Sequence, residues 1–449
     1  MPKRSGGVPA YVTELRDELL QRGHQVVYLD TYNQDGARNP QIVQTSSAPD
    51  DFAFYNSGAL PPWGKFRCAP TSDIRASRQT EKCFMDFVTT VRPDVIHFHE
   101  LLCFPMELVP RLRSAGYKLL FTTQDYFSVC PTIKLFLPSL HSCTVGADEI
   151  RCDRCVRHFT TGRVSPFYRR NQRWIEKLPP ILAVMLRRSD TLCGRIVRPF
   201  LPTRQGYRLR RLGALKCLQA FDLILCMSRA QHELMQRIAG PLPNMRQIYL
   251  SRQTYGEGIQ GGASKTDGKT RFVALNLNEV SKGRDLLLKE FAELRVELDS
   301  VELHMYGEPA DNQPGVFFHG TYAASDLKSI LASMDAGIVP SIWEEAYGYV
   351  GPEMLTHGLP VIASAAGAMK EYVIPGVNGL IFDSSKAGSL KGYMKMLAMD
   401  KTLLSKLRAN ASLSKIGIIY FARHVDQIEA IYHEVTETNP RLSDTTLLK

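Results

Sequence analysis

The chain has 449 residues, too many for one typical domain and suited to two lobes of about 200 residues each. Hydrophobic residues make up 44% and charged residues 22%, the balance of a globular enzyme. The formal net charge is +10. No apolar run reaches the roughly 18 residues that a bilayer span needs, and MPKRSGG at the start lacks the apolar core of a secretory leader, so a cytoplasmic location is expected.

Gly6 and Gly7 open a helical pattern marked by Val12, Leu15 and Leu19. Glycines there let backbone N–H groups approach a phosphate at a helix start. Strand-like runs follow at residues 25–30, 94–98, 119–123 and 223–226, alternating with helical patterns in the βαβ rhythm of a parallel sheet. They define an N-terminal domain over residues 1–250.

Within that domain, about residues 130–216 form a cysteine-rich and basic insertion. All ten cysteines precede residue 227, and Cys130, Cys143, Cys152 and Cys155 are spaced C-x12-C-x8-C-x2-C. Four thiolates suffice for a structural zinc, and reduced, partly buried thiols are the other reading; disulfides do not suit a reducing cytosol. Arg169, Arg170, Arg173, Arg187, Arg188, Arg195, Arg198, Arg204, Arg208, Arg210 and Arg211 crowd a stretch whose acids are Glu176 and Asp190. Such a basic face attracts phosphates or anionic lipid heads, and a solvated helical face is the plain alternative. No nucleic-acid module accompanies it, so nucleic acid is not an expected partner.

Residues 251–270 are glycine-rich, polar and aperiodic, and read as a linker. The rhythm restarts with strands expected at 272–277, 301–306, 316–319, 336–340 and 360–364, a second domain over 271–415. Residues 416–435 have the length and apolar content of a closing helix, within a C-terminal segment 416–449.

The densest chemistry lies in PSIWEEAYGYVGPEMLTHGLPVIAS, residues 340–364. Glu345 falls in the loop after one buried strand, and Glu353 falls in a helix expected over 348–357. Open α/β sheets gather ligands at that end of their strands. Ionised carboxylates accept hydrogen bonds from vicinal hydroxyls, which sugars and ribose supply in pairs, so one segment can address a sugar nucleotide.

This Glu-x7-Glu segment resembles family 4 of the retaining glycosyltransferases, which have the GT-B fold. GGVPAYVTELRDELLQRGHQVVYL, PDVIHFHE, FTTQDYFSVCP, FDLILCMS, SKGRDLLLKEF and GAMKEYVIPGVNGLIFD agree in order and spacing. The resemblance implies an α/β fold of two doubly wound Rossmann-like domains facing a central cleft, with the closing helix packed back on the first. It implies that Glu345 contacts the donor sugar, Glu353 the ribose hydroxyls, and Gly348 with Tyr349 the phosphate. Lys282 would neutralise the leaving diphosphate where other enzymes use a divalent ion, so no catalytic cofactor is expected. Gly7 would neighbour the donor phosphates or the acceptor.

Three departures from the family pattern stand out. Gln124 occupies a position usually held by a histidine that helps shape the active site, and Asn276 one usually held by a phosphate-binding arginine. Both side chains still form hydrogen bonds; neither brings charge. The apolar strand usual before the glycine loop is missing, so either the chain continues upstream or the N-terminal domain is weakly stable alone. His97 and His99 end the strand at 94–98; a structural role and an approach to the site are both open.

The resulting expectation is a retaining hexosyltransferase using a UDP- or GDP-type sugar donor in polysaccharide biosynthesis. Its acceptor is a polysaccharide precursor or a lipid-linked glycan, and its location is cytoplasmic or peripheral at the inner face of a membrane. The alternative is a catalytically impaired GT-B partner in a glycan-assembly complex. A sugar-nucleotide epimerase shares the fold but not this Glu-x7-Glu context.

Overall fold

A computed structural model describes residues 6–32, 39–45, 50–59, 74–137, 139, 142–143, 152, 155, 204–256, 267–307, 313–411 and 416–437. Arg169, Arg170, Arg173, Arg187, Arg188, Arg195 and Arg198 lie outside the described residues, as do residues 257–266 of the linker.

The N-terminal half runs α1 (Gly7–Gln21), β1 (Tyr28–Tyr32), β2 (Gln41–Gln44), β3 (Asp51–Tyr55), α2 (Arg78–Val91), β4 (Val95–Phe98) and α3 (Leu108–Ser114). It continues with β5 (Lys118–Thr123), α4 (Arg204–Ala220), β6 (Leu223–Cys226), α5 (Arg229–Ala239) and β7 (Met245–Gln247). The C-terminal half has β8 (Thr270–Leu275), α6 (Arg284–Glu297), β9 (Val301–Tyr306), β10 (Val316–Phe318), α7 (Leu327–Ala332), β11 (Ala336–Val339) and α8 (Val350–Thr356). It ends with β12 (Val361–Ser364), α9 (Met369–Tyr372), β13 (Gly379–Phe382), α10 (Ser389–Met399), α11 (Lys401–Ala411) and α12 (Phe421–Glu437).

The C-terminal sheet has the order β10-β9-β8-β11-β12-β13, with every neighbouring pair parallel. Strand order runs outward in both directions from β8 and β11, so the loops leaving these two strands diverge and open a crevice between them, the usual ligand position of such sheets. Strands β8, β11 and β12 are buried along their whole length, as parallel strands covered on both faces must be. Phe272 and Ala274 of β8 pack with Ile338 and Ile362 on one face. Val273 and Leu275 point the other way, into a core shared with the N-terminal half.

The N-terminal half departs from a single doubly wound sheet. Strands β4-β5-β6-β7 pair in parallel, while β1, β3 and β2 form a separate sheet with β2 antiparallel. The two sheets do not join, and a cavity of about 660 Å³ is lined by residues of β1 from one, β4 from the other, and α1 and α2. Strands β2 and β3 escape sequence patterning because each is short and carries polar residues; Asp51 on β3 is tied by Arg16 of α1 at 2.8 and 2.9 Å.

Local signals set the starts of two helices. Ser77 caps α2 by accepting from Thr80 N at 3.0 Å, and Ser228 caps α5 by accepting from Gln231 N at 3.0 Å. Helix α12 returns to the N-terminal half. His424 meets the Tyr11 hydroxyl at 2.9 Å, Tyr432 meets His97 Nδ1 at 2.8 Å, and Arg22 reaches Asp426 at 2.7 Å and Glu429 at 2.6 Å.

Candidate functional site

The site grows from the loops leaving β8 and β11. After β8 a single 3-10 turn, Val280–Lys282, ends at Gly283, whose φ is 77°. A Cβ there would lie 1.9 Å from the Pro340 carbonyl oxygen, so the two loops touch only because this residue has no side chain. Ile342 N donates to Ser281 O at 2.9 Å and fixes the register between them. That contact brings together the two residues the sequence placed 63 positions apart: Lys282 Nζ donates to Glu345 Oε1 at 2.5 Å.

Glu345 is buried, at 5% exposure, and also accepts from Ser341 Oγ at 2.7 Å. Burial favours its protonated form, but the charge and hydrogen bond of Lys282, with Ser341, outweigh it and hold the pKa below the ordinary glutamate value. The carboxylate is therefore ionised and oriented.

Glu353, on α8, is also buried and accepts from Thr254 Oγ1 at 2.5 Å. Here burial dominates, and the pKa is raised despite Arg252 and Thr254. The two glutamates thus differ in environment: one is paired with an ammonium, the other waits for hydrogen-bond donors.

Between them the chain turns at Gly348, whose φ is 80°, and Tyr349 faces the N-terminal half. The Tyr349 hydroxyl donates to Gln124 Oε1 at 2.9 Å, and a Cβ on Gly7 would lie 3.2 Å from the Tyr349 ring. Gln124 is buried at the end of β5, and its Nε2 has no hydrogen-bond partner, leaving a donor that a bound acceptor would satisfy. Gly7, Gln124 and Tyr349 therefore meet at one point, as three widely separated segments.

Arg252 locks the same corner. It binds Glu14 of α1 through two hydrogen bonds of 2.8 Å, and its guanidinium lies 5.6 Å from the Tyr349 ring centre. Residues 251–256, which read from sequence as linker, thus wall the site, with Thr254 on Glu353. Asn276 follows β8 with φ 56° and donates to the Tyr322 hydroxyl at 3.0 Å. Arg252, Thr254 and Tyr322 escape a sequence reading because lone residues in loops carry no periodicity or spacing.

The other residues singled out by the sequence lie in the N-terminal half. His97 and His99 lie in the N-terminal core with their rings 4.0 Å apart; His97 bridges Thr122 and Tyr432 at 2.8 Å each. Burial lowers both pKa values, that of His99 to about 3, so both rings are neutral at pH 7, and both line the cavity beside β1 and β4. Arg210, counted in the basic face, is buried, donates to Phe127 O at 2.6 Å and leaves the surface to Arg208 and Arg211. Cys130, Cys143, Cys152 and Cys155 do line one hollow of about 20 Å³. Yet among the described residues no set of three or more His, Cys, Asp or Glu side chains is arranged to hold a metal. Burial, then the neighbouring thiols, push Cys152 and Cys155 up to about 12, so both are neutral thiols at pH 7 unless a metal ion displaces their protons.

Residues 269–400 match the family described as glycosyl transferases group 1, a region that contains Asn276, Lys282, Glu345, Gly348, Tyr349 and Glu353. The MMP alpha-(1->4)-mannosyltransferase of Mycolicibacterium hassiacum is 33% identical over 180 residues, 37% of this chain and 43% of that protein. The chain thus matches less than half the length of that curated relative. Among solved structures, sucrose-phosphate synthase from Thermosynechococcus elongatus is similar with a TM-score of 0.63 at 14% identity, covering 97% of this chain and 95% of that one. Anabaena HepE in complex with UDP is similar with a TM-score of 0.53 at 14% identity, covering 86% of each chain. The fold is that of the GT-B glycosyltransferases.

Proposed function

We propose that the chain is a retaining glycosyltransferase of family 4 that moves a hexosyl group from a UDP- or GDP-type sugar to a polysaccharide precursor or lipid-linked glycan. The observation that carries this reading is the 2.5 Å contact of Lys282 with Glu345 at the β8 and β11 switch point, inside the region matching group 1 glycosyl transferases. The UDP held by the similar Anabaena protein supports a nucleotide donor.

In this reading Glu353 takes the ribose hydroxyls, whose O–H donors stabilise its anion. Glu345 orients the sugar hydroxyls. Lys282 stabilises charge as it builds on the departing diphosphate, which makes it a transition-state contact. The acceptor oxygen attacks the anomeric carbon on the face from which the diphosphate leaves. As the new C–O bond forms and the old one breaks, the acceptor proton passes to a diphosphate oxygen. Gln124 Nε2, buried without a partner, supplies a neutral donor to the sugar.

Among the described residues no helix is long and apolar enough to cross a membrane. Work on a lipid-linked acceptor would place the chain at the cytoplasmic face of a membrane, and flotation with anionic and neutral vesicles tests this; equal recovery from both would end it. The main test is turnover of UDP- and GDP-linked hexoses, with product anomers assigned by NMR. An inverted product would overturn retention, and donor binding without hydrolysis or transfer would favour the non-catalytic partner, a reading that the uncharged Asn276 and Gln124 support.

A further inference from the structure

Lys134 leaves the N-terminal half in the loop after β5 and reaches the donor side of the cleft. Its Nζ lies 3.1 Å from Ser281 Oγ and is ion-paired with Glu279, and both partners belong to the loop that carries Lys282. The Lys134 ammonium is 5.6 Å from the centre of the Trp343 ring, and the Lys282 ammonium is 5.4 Å from the same ring. Two cations from opposite halves of the molecule therefore share one indole.

Two ammonium groups held this close repel. The Lys134 side chain is 27% exposed; burial, then the Lys282 charge, push its pKa down to about 8, with Glu345 pulling the other way. Of the carboxylates beside the pair, Glu345 is already engaged by Lys282 and Ser341, and Glu279 is 53% exposed. An anion with several oxygens, entering beside Trp343, would satisfy both cations. Across the same crevice Asn276 is uncharged and turned to the Tyr322 hydroxyl.

We propose that Lys134 binds the terminal phosphate of the nucleoside diphosphate together with Lys282, one cation from each half of the chain, so that the departing diphosphate is gripped across the cleft. The assignment rests on the donor reading above and adds a residue to it. Ser281 links the pair to its loop, its hydroxyl accepting from Lys134 at 3.1 Å and donating to Glu279 at 3.3 Å.

The test is calorimetric titration of the full chain with UDP, GDP and ADP, each paired with its monophosphate, for wild type, Lys134→Met, Lys134→Arg and Glu279→Gln. Wild type is expected to bind at least one diphosphate. Lys134→Met should weaken that diphosphate about tenfold to a hundredfold, the loss of one hydrogen bond to a charged group, and leave the monophosphate little changed. Lys134→Arg should recover most of the loss, and Glu279→Gln should keep or tighten diphosphate binding. Equal diphosphate affinity in Lys134→Met and wild type would overturn the proposal. So would equal weakening of mono- and diphosphate, or a loss in Glu279→Gln matching that in Lys134→Met, since either marks a strut between the halves. If wild type binds none of the three diphosphates, the donor reading itself falls.

Discussion

The Tyr349 hydroxyl donates to Gln124 Oε1 at 2.9 Å, a single hydrogen bond that joins the turn between the two glutamates to the end of β5 in the other half of the chain. Tyr349→Phe removes that bond and leaves both ends of the Gln124 amide without a partner. A buried polar group so stranded costs about 1–3 kcal/mol. Denaturant unfolding of the full chain should show a loss in this range, and a loss below about 0.5 kcal/mol would mean that the contact contributes nothing net.

Glu353→Ala is expected to raise the donor KM about tenfold or more with a smaller effect on kcat, because contacts to ribose persist unchanged through the reaction. The pH profile supplies a second reading. Burial raises the Glu353 pKa, so the ionised form that accepts ribose hydroxyls is lost at a higher pH than for an ordinary glutamate. Donor kcat/KM should fall on the acid side above the usual glutamate range, and Glu353→Gln should flatten that limb. An acid limb identical in Glu353→Gln and wild type would assign it elsewhere.

Lys282→Met removes a charge that meets the diphosphate most strongly as it leaves. Steady-state rates should drop about 10²- to 10³-fold in kcat, the scale of removing one preorganised electrostatic contact. The substitution also strands the buried Glu345 carboxylate, so a melting curve should accompany the kinetics; a normal kcat in a folded variant would take Lys282 out of the mechanism.

Gly283→Ala tests whether the loops after β8 and β11 must touch. The residue has φ 77°, and the new methyl group would collide with the Pro340 carbonyl oxygen. Strain and clash together should cost more than about 2 kcal/mol and separate Lys282 from Glu345. Unchanged melting and unchanged donor affinity would show that the loops adjust freely.

The buried histidines make the fold sensitive to acid. His99 is lowered to about 3 and His424 to about 4, first by burial, against about 6.5 in the unfolded chain. Below pH 6.5 the unfolded state takes up protons that the folded state refuses, so stability is present above that pH and drains away down to about pH 4 for His424 and about pH 3 for His99. Asp125, raised to about 6 by burial, opposes this in part over the interval from about 4 to 6. Melting temperature should fall between pH 6.5 and 4, and His99→Leu should shallow the fall. An unchanged slope would place the acid-labile group elsewhere.

Much of the second lobe is legible in the chain itself. Unbroken apolar runs such as the Ala-Gly-Ile-Val of β11 and the Val-Ile-Ala-Ser of β12 mark strands covered on both faces, and the spacing of Glu345 and Glu353 places one in a loop and the other one turn into a helix. β13 escapes the strand pattern because its four residues follow a turn without alternation. In the first lobe the signal is weaker: β2 and β3 mix polar and apolar residues, and their pairing depends on partners far along the chain.

Residue order by itself determined the α/β character of the chain, the strands of the second sheet and the acidic pair, because each rests on periodicity or short spacing within one segment. Only the tertiary structure decided that Gly7, Gln124 and Tyr349 meet, that Arg252 and Thr254 are walls of the site, that His97 and His99 belong to the core, and that Lys134 stands beside Lys282. These contacts join residues far apart in the chain, 225 positions for Gln124 and Tyr349 and 335 for His97 and Tyr432. Their meeting is fixed by how the two halves pack, a global outcome of core burial and close approach that leaves no mark on any single stretch of sequence.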